Sequence, residues 1–429
     1  LVRCDLHGEP HKAAIEALGL SRRQFYRERQ EALLQLAQAI EAELARTGAA
    51  TVSLSLGDAA EAYIEALRAA GQYRLAWRES RELAASADGD AREVQLWSVA
   101  CEAARYVGDH VAAAEALDYA RRAASGWRGR DGSYARTLWV AIGEMNQYWA
   151  QAECERVRQS FEAAVRAGRD ESTLNPNEAK LFGIMLGYMA AVECDCGRWE
   201  EAERLYARER RLAGGEPSAT TRSSLLRLSA RIADARGDRQ RAIAEHRSAL
   251  EIERQAGQLG PVAVSAVYYA AAIGESNPAE ALPYAEYGLE ITRRYYPGDR
   301  LAKLTLHALP VLLDAAGPAA ARRALAGVRR GGLGVRDALF VDAAEARIAA
   351  RAGDHAAALE RGTDVAARLA QRGFAALAET AELVVVESYA KLGQRRRARR
   401  HLENLTGTFA GAESRERARR LGTALGLAT

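Results

Sequence analysis

Apolar residues recur at helical spacing through this chain, and a short turn interrupts them roughly every forty residues. The turn reads Gly, a polar residue, three variable positions, then Ala. It stands at Gly71–Ala76, Gly108–Ala113, Gly197–Ala202, Gly237–Ala242, Gly353–Ala358 and Gly393–Ala398, with weaker copies beginning at Ala152, Ser276 and Gly317. Glycine ends the first helix because it tolerates the left-handed conformation beyond a helix C-terminus. Asp109, Asp238 and Asp354 then supply short polar caps for the next helix. The alanine is small enough for the two helices to cross closely; Val157 and Arg322 replace it in two weaker copies. The pattern predicts an all-α chain, an α-α superhelix of about nine helical hairpins. One hairpin cannot bury its apolar stripe alone, so neighbours must stack. The connections between hairpins read as longer loops than the turns within them.

These turns resemble the tetratricopeptide-repeat (TPR) family over roughly residues 52–410, and the resemblance implies one TPR-like superhelical domain over residues 47–429. In that family the first helix of each hairpin lines a concave groove. Counting back about 3, 6, 10 and 13 positions from each turn glycine gives the inward-facing residues of such a helix. The groove would then carry Glu102, Arg105, Trp139, Asn146, Trp149, Arg227, Arg231, His307 and Arg347. Trp139, Asn146 and Trp149 share one helix and form a peptide platform, with rigid apolar area and an amide that pairs both sides of a peptide bond. Arg227 and Arg231, one helical turn apart, could clamp a carboxylate or phosphate. The competing reading buries the tryptophans between repeats and leaves the arginines solvated or paired with Asp234.

Residues 1–46 do not carry the repeat. Pro10 to Arg29 reads as a short helix, a turn at Leu18-Gly19-Leu20, and a second helix capped by Ser21. This resembles the helix-turn-helix of bacterial transcription regulators, in which the second helix enters the DNA major groove. On that resemblance Ser21, Arg22, Arg23, Gln24, Tyr26 and Arg27 contact DNA: arginine pairs with guanine, glutamine with adenine, and the local positive charge attracts phosphates. Ile15 stands where the family has Ala, and Glu28 where an apolar residue is common. Leu33, Leu36, Ile40 and Leu44 extend the second helix towards the repeats. The alternative is an amphipathic cap on the solenoid.

Composition changes this picture little. A formal net charge of +3 gives no overall polyanion or polycation character. Of the 60 basic side chains only Lys12, Lys180, Lys303 and Lys391 are lysine, a bias associated with GC-rich bacterial genomes. The segment from Lys391 to Arg420 is strongly basic, and reads as a solvated capping repeat before it reads as a nucleic-acid contact. The five cysteines are odd in number and scattered, which points to a reducing cytoplasm rather than a disulfide framework. No apolar run reaches the roughly 18 residues of a membrane span, and no signal peptide is expected. The opening at Leu1, without Met, leaves room for further residues upstream.

No Walker loop, nucleophile elbow, dinucleotide fingerprint or zincin motif is present, so neither a catalytic set nor a cofactor is expected. Cys194 and Cys196, at i and i+2, point about 200° apart on a helix and make a poor chelate. Cys4, His7 and His11 have metal-like spacing but Pro10 interrupts them, so no metal site is expected either. Two functions fit. One is a DNA-binding transcriptional regulator whose repeats sense a peptide, small molecule or protein and whose two half-sites imply a homodimer. The regulators it resembles include peptide-responsive ones, with their DNA-binding part N-terminal, and large activators of the maltose-regulator type, with it C-terminal. The other is a non-enzymatic scaffold or adaptor. An enzyme domain upstream, regulated by the repeats, is a weaker third.

Overall fold

The computed structural model describes residues 56–427, apart from residues 70, 88–91, 127–133, 169, 215–216, 297–298, 329–332 and 407–411. Residues 1–66 and 67–429 form separate compact units, and the architecture below is that of the second. The helix-turn-helix-like segment, with Ser21, Arg22, Arg23, Gln24, Tyr26 and Arg27, lies outside the described residues.

Among the described residues 86% are helical and none lies in a strand, so the fold is an all-α solenoid. In chain order the helices are α1 (Leu56–Ala69), α2 (Tyr73–Ser86), α3 (Arg92–Tyr106), α4 (His110–Gly126), α5 (Tyr134–Ala150) and α6 (Cys154–Ala167). They continue as α7 (Pro176–Asp195), α8 (Trp199–Ala213), α9 (Ala219–Ala235), α10 (Arg239–Gln255), α11 (Leu259–Gly274) and α12 (Pro278–Tyr295). The last are α13 (Asp299–Ala315), α14 (Gly317–Ala326), α15 (Val335–Arg351), α16 (His355–Gln371), α17 (Ala375–Lys391), α18 (Arg395–Thr406) and α19 (Ala412–Ala424). With hairpins numbered from the α1–α2 turn as one, turns join α3 to α18 as eight successive helix–turn–helix units, hairpins two to nine, with α19 following.

The turn chemistry acts as the sequence implies. Gly108, Gly237 and Gly353 sit at φ 84°, 84° and 85°, where a β-carbon would be strained. Asp109, Asp238 and Asp354 each accept a hydrogen bond from the backbone N–H three residues on, at 2.9, 3.3 and 3.1 Å. The alanine closing each turn is fully buried: Ala76, Ala113, Ala202, Ala242, Ala281, Ala358 and Ala398 are all 0% exposed. Hairpin seven departs in register. Its turn is shorter and α14 begins at Gly317 itself, so Ala321 takes the buried place and Arg322 points to solvent. The expectation of longer loops between hairpins fails at two joints. Gly257 (φ 66°) and Gly373 (φ 81°) make turns between α10 and α11, and between α16 and α17, as tight as those within hairpins.

Stacking winds the units into a superhelix whose first helices face inward. From α3 to α9 and again from α11 to α19 each inner helix packs on the next, and the winding is tight enough for a second set of contacts across the interior. There α3 meets α13, α5 meets α15, α7 meets α17 and α9 meets α19, in each case the first helix five hairpins along. Polar contacts also cross the interior, five hairpins apart in the first case below and four in the second. Arg300 at the start of α13 donates to the Tyr106 hydroxyl at the end of α3 at 2.9 Å, and Arg417 of α19 pairs with Glu275 at the end of α11 at 2.7 Å.

Candidate functional site

The first helices of hairpins four to nine and α19, with single side chains or pairs from α8, α10 and α16, line a cavity of about 700 Å³ inside the superhelix. Its apolar walls include Leu306, Pro310, Leu313, Phe340, Leu383 and Leu421. Its polar lining comprises Asp195, Arg231, Asp234, Arg239, Glu275, Asp314, Arg347, Arg351, Glu387, Arg417 and Arg420, with His246, Tyr268 and His307 between them. A concave site with apolar walls and a few convergent charges is the usual form of a ligand pocket.

Asp195 organises one end. It closes α7 at the turn into α8, where the chain must pass close to its neighbours, and is 5% exposed. Arg231 of α9 donates to it at 2.6 Å, and the Lys303 ammonium of α13 stands 3.8 Å away. Burial acts to raise this carboxyl, but Lys303, Arg231 and Arg336 outweigh it, and Asp195 titrates below the ordinary aspartate range. Beside it run three rings in file: His246, Tyr268 and His307, with centroids 5.7 and 4.9 Å apart. Burial, reinforced by the cations around them, pulls both histidines down to about 3, so both imidazoles are neutral at physiological pH.

The structure gathers some of the groove residues expected from the sequence and separates others. Arg231, His307 and Arg347 line the cavity. Arg105 and Asn146 meet inside the solenoid, Arg105 Nη2 donating to Asn146 Oδ1 at 3.4 Å, and both are nearly inaccessible to solvent. Tyr188 of α7 stands beside the same Asn146, and its ring meets Trp149 edge-on at 6.4 Å. Trp149 is buried between two cations from across the interior, Lys303 at 4.8 Å and Arg336 at 4.5 Å from its ring. Cation–π contacts of this kind hold opposite walls together. Trp139 is half-buried elsewhere on α5. Glu102 is engaged by Arg68.

Arg227 and Arg231 do not form one clamp. Arg227 is taken by the fully buried Glu253 and also reaches Ser265, whereas Arg231 goes to Asp195. Asp234 pairs with Arg239 at 2.5 Å. Counting positions missed Asp195, Lys303 and Arg336, which belong to turns or to hairpins far along the chain. A buried acid at a helix end, in Cys194-Asp195-Cys196, was the available signal for the first of them.

A second cavity of about 840 Å³ lies near the turns into α2 and α4, lined by Arg74, Trp77, Arg78, Arg81 and His110. Cys101, Cys154, Cys194 and Cys196 are free and buried. No group of three or more metal-ligating side chains occurs among the described residues, and no described helix is long and apolar enough to cross a membrane.

No protein-family profile matches this chain, and no curated protein matches it in sequence. Among solved structures it is similar to a Rap protein complexed with competence and sporulation factor, at 11% identity and a TM-score of 0.52, over 78% of this chain and 99% of that one. The TPR domain of P58(IPK) matches at 14% identity over 86% of this chain and 98% of that one, with a TM-score of 0.22. At such identities the likeness is one of fold: the chain is an all-α, TPR-like superhelical solenoid.

Proposed function

We propose that this chain is a non-enzymatic recognition protein, a TPR-like scaffold or adaptor that takes a peptide or a segment of a protein partner into the superhelix. The cavity carries the reading, because residues from six successive hairpins, together with α19, build its wall. A surface assembled from so many repeats reads an extended ligand at several points. The Rap protein it resembles in fold was solved with a bound factor, which agrees with this use of the architecture. A half-buried residue on the wall tests it. Thr380 of α17 lines the cavity, and Thr380→Trp fills it from one side. On a random peptide array the wild-type chain binds a subset of sequences and the variant loses them at an unchanged melting temperature. Equal binding by both proteins, or none by either, contradicts the proposal.

A second reading, a DNA-binding transcriptional regulator, rests on the segment Pro10 to Arg29. In it the solenoid senses the ligand, the chain works as a dimer in the cytoplasm, and Arg22, Arg23 and Arg27 hold DNA. Selection of host genomic fragments tests it: a two-fold-related site lost on Arg22/Arg23/Arg27→Ala supports the regulator, and salt-labile binding indifferent to that change removes it.

A further inference from the structure

Charges inside the cavity cancel largely in pairs. Arg231 is held by Asp195, Arg239 by Asp234, Arg351 by Asp314 and Arg417 by Glu275. Arg347 of α15 is left over. It is half-buried on the cavity wall and makes no hydrogen bond or ion pair with any described residue. Glu387 of α17 also lines the cavity, beyond ion-pair reach of Arg347. Burial, followed by the neighbouring Arg417, pulls the guanidinium down to about 10, and the carboxylates of Asp314 and Glu387 do not restore it. It therefore remains charged at neutral pH in a site that does not compensate it, which is costly for a folded chain. Such groups concentrate where a ligand supplies the missing counter-charge.

The neighbouring walls are apolar, with Leu313, Phe340, Leu383 and Leu421 on four helices. A guanidinium fork accepts a carboxylate through two parallel N–H···O bonds, and apolar walls suit the body attached to it. We infer that Arg347 anchors the carboxylate of a ligand with an apolar body, foremost the free C-terminus of a peptide ending in an apolar residue. The inference rests on the interior being the recognition surface, and adds to it which end of the ligand is held and where.

The test uses the whole chain and three probes: random pentapeptides with free C-termini, the same pentapeptides as C-terminal amides, and octanoate. Binding of free acids over amides, weakened about 10- to 100-fold by Arg347→Gln but not by Arg247→Gln on the exposed face of α10, supports the anchor. Equal binding of acids and amides, indifferent to Arg347→Gln, overturns the anchor and leaves the recognition surface standing. Binding of neither peptide set overturns both, unless octanoate alone binds and depends on Arg347; that outcome keeps the carboxylate site and overturns the peptide as its source. The ligand-free variant separates a binding role from a structural one. Arg347→Gln removes a charge without a partner, so it melts at or above the wild-type temperature; a fall of several degrees would assign Arg347 to the framework and sink the inference.

Discussion

Gly334, just before α15, lies against the carbonyl of Ala150, the last residue of α5, five hairpins earlier in the chain: a β-carbon on Gly334 would stand 2.5 Å from that oxygen. Two further contacts tie the same neighbourhoods. Arg336 covers the Trp149 ring at 4.5 Å, and Arg372 donates to the Gln151 carbonyl at 3.5 Å. Opposite walls of the interior therefore touch along a polar seam. Gly334→Ala must push these walls apart, at a cost of about 1–3 kcal/mol. Urea denaturation should show the loss and small-angle scattering a larger radius of gyration. An unchanged midpoint and radius would mean that the seam does not hold the superhelix closed.

His246 and His307 make the solenoid acid-sensitive. Both are held neutral, with native values near 3 against about 6.5 for a free imidazole. Between those values the unfolded chain binds protons that the folded chain does not. Stability is thus complete above about pH 6.5 and falls as the pH drops towards 3, by up to about 1.4 kcal/mol per pH unit for each histidine. His246→Gln and His307→Gln should each flatten the loss in a series of melts from pH 7 to 4. Parallel wild-type and variant curves would exclude these residues as its cause.

Glu209 shows the opposite sign. Its side chain is 6% exposed and sits over Gly187, where a β-carbon would meet its carboxylate at 2.9 Å. Burial raises it to about 8, against the partial pull of Arg227. The folded chain therefore holds a proton that the unfolded chain has released above about pH 4.3. Stability is lost as the pH rises from there through 8. Glu209→Gln keeps the shape without the ionisation, and should add roughly 1–3 kcal/mol at pH 8, with less gain at pH 5. A variant less stable than wild type at pH 8 would show that the carboxylate is paired rather than merely buried.

The repeat was legible because its signals are local. A left-handed glycine, a capping aspartate and an alanine in van der Waals contact all act within six residues, and Gly353, Asp354 and Ala358 do just that. Register failed where the turn shortened, at Gly317, and the Gly257 and Gly373 joints went unread because loops were expected between hairpins. The interior was less legible. Counting from a turn glycine places Trp149 on an inward face, but superhelical pitch decides what stands opposite. That pitch brings Lys303 and Arg336 over the ring and converts an expected platform into a seam. Likewise Arg227 and Arg231 neighbour one another on a helix face, yet partners on α10 and α7 draw them apart.

Hydrogen exchange of the full chain, with and without a peptide selected on the array, tests the recognition claim most directly. Bound ligand should slow exchange in the first helices α9, α11, α13, α15 and α17 and leave the outer helices α12 and α14, which contribute nothing to the cavity lining, unchanged. Protection confined to the outer helices, or to the turns around Trp77 and His110, would place recognition outside the superhelix and contradict the account.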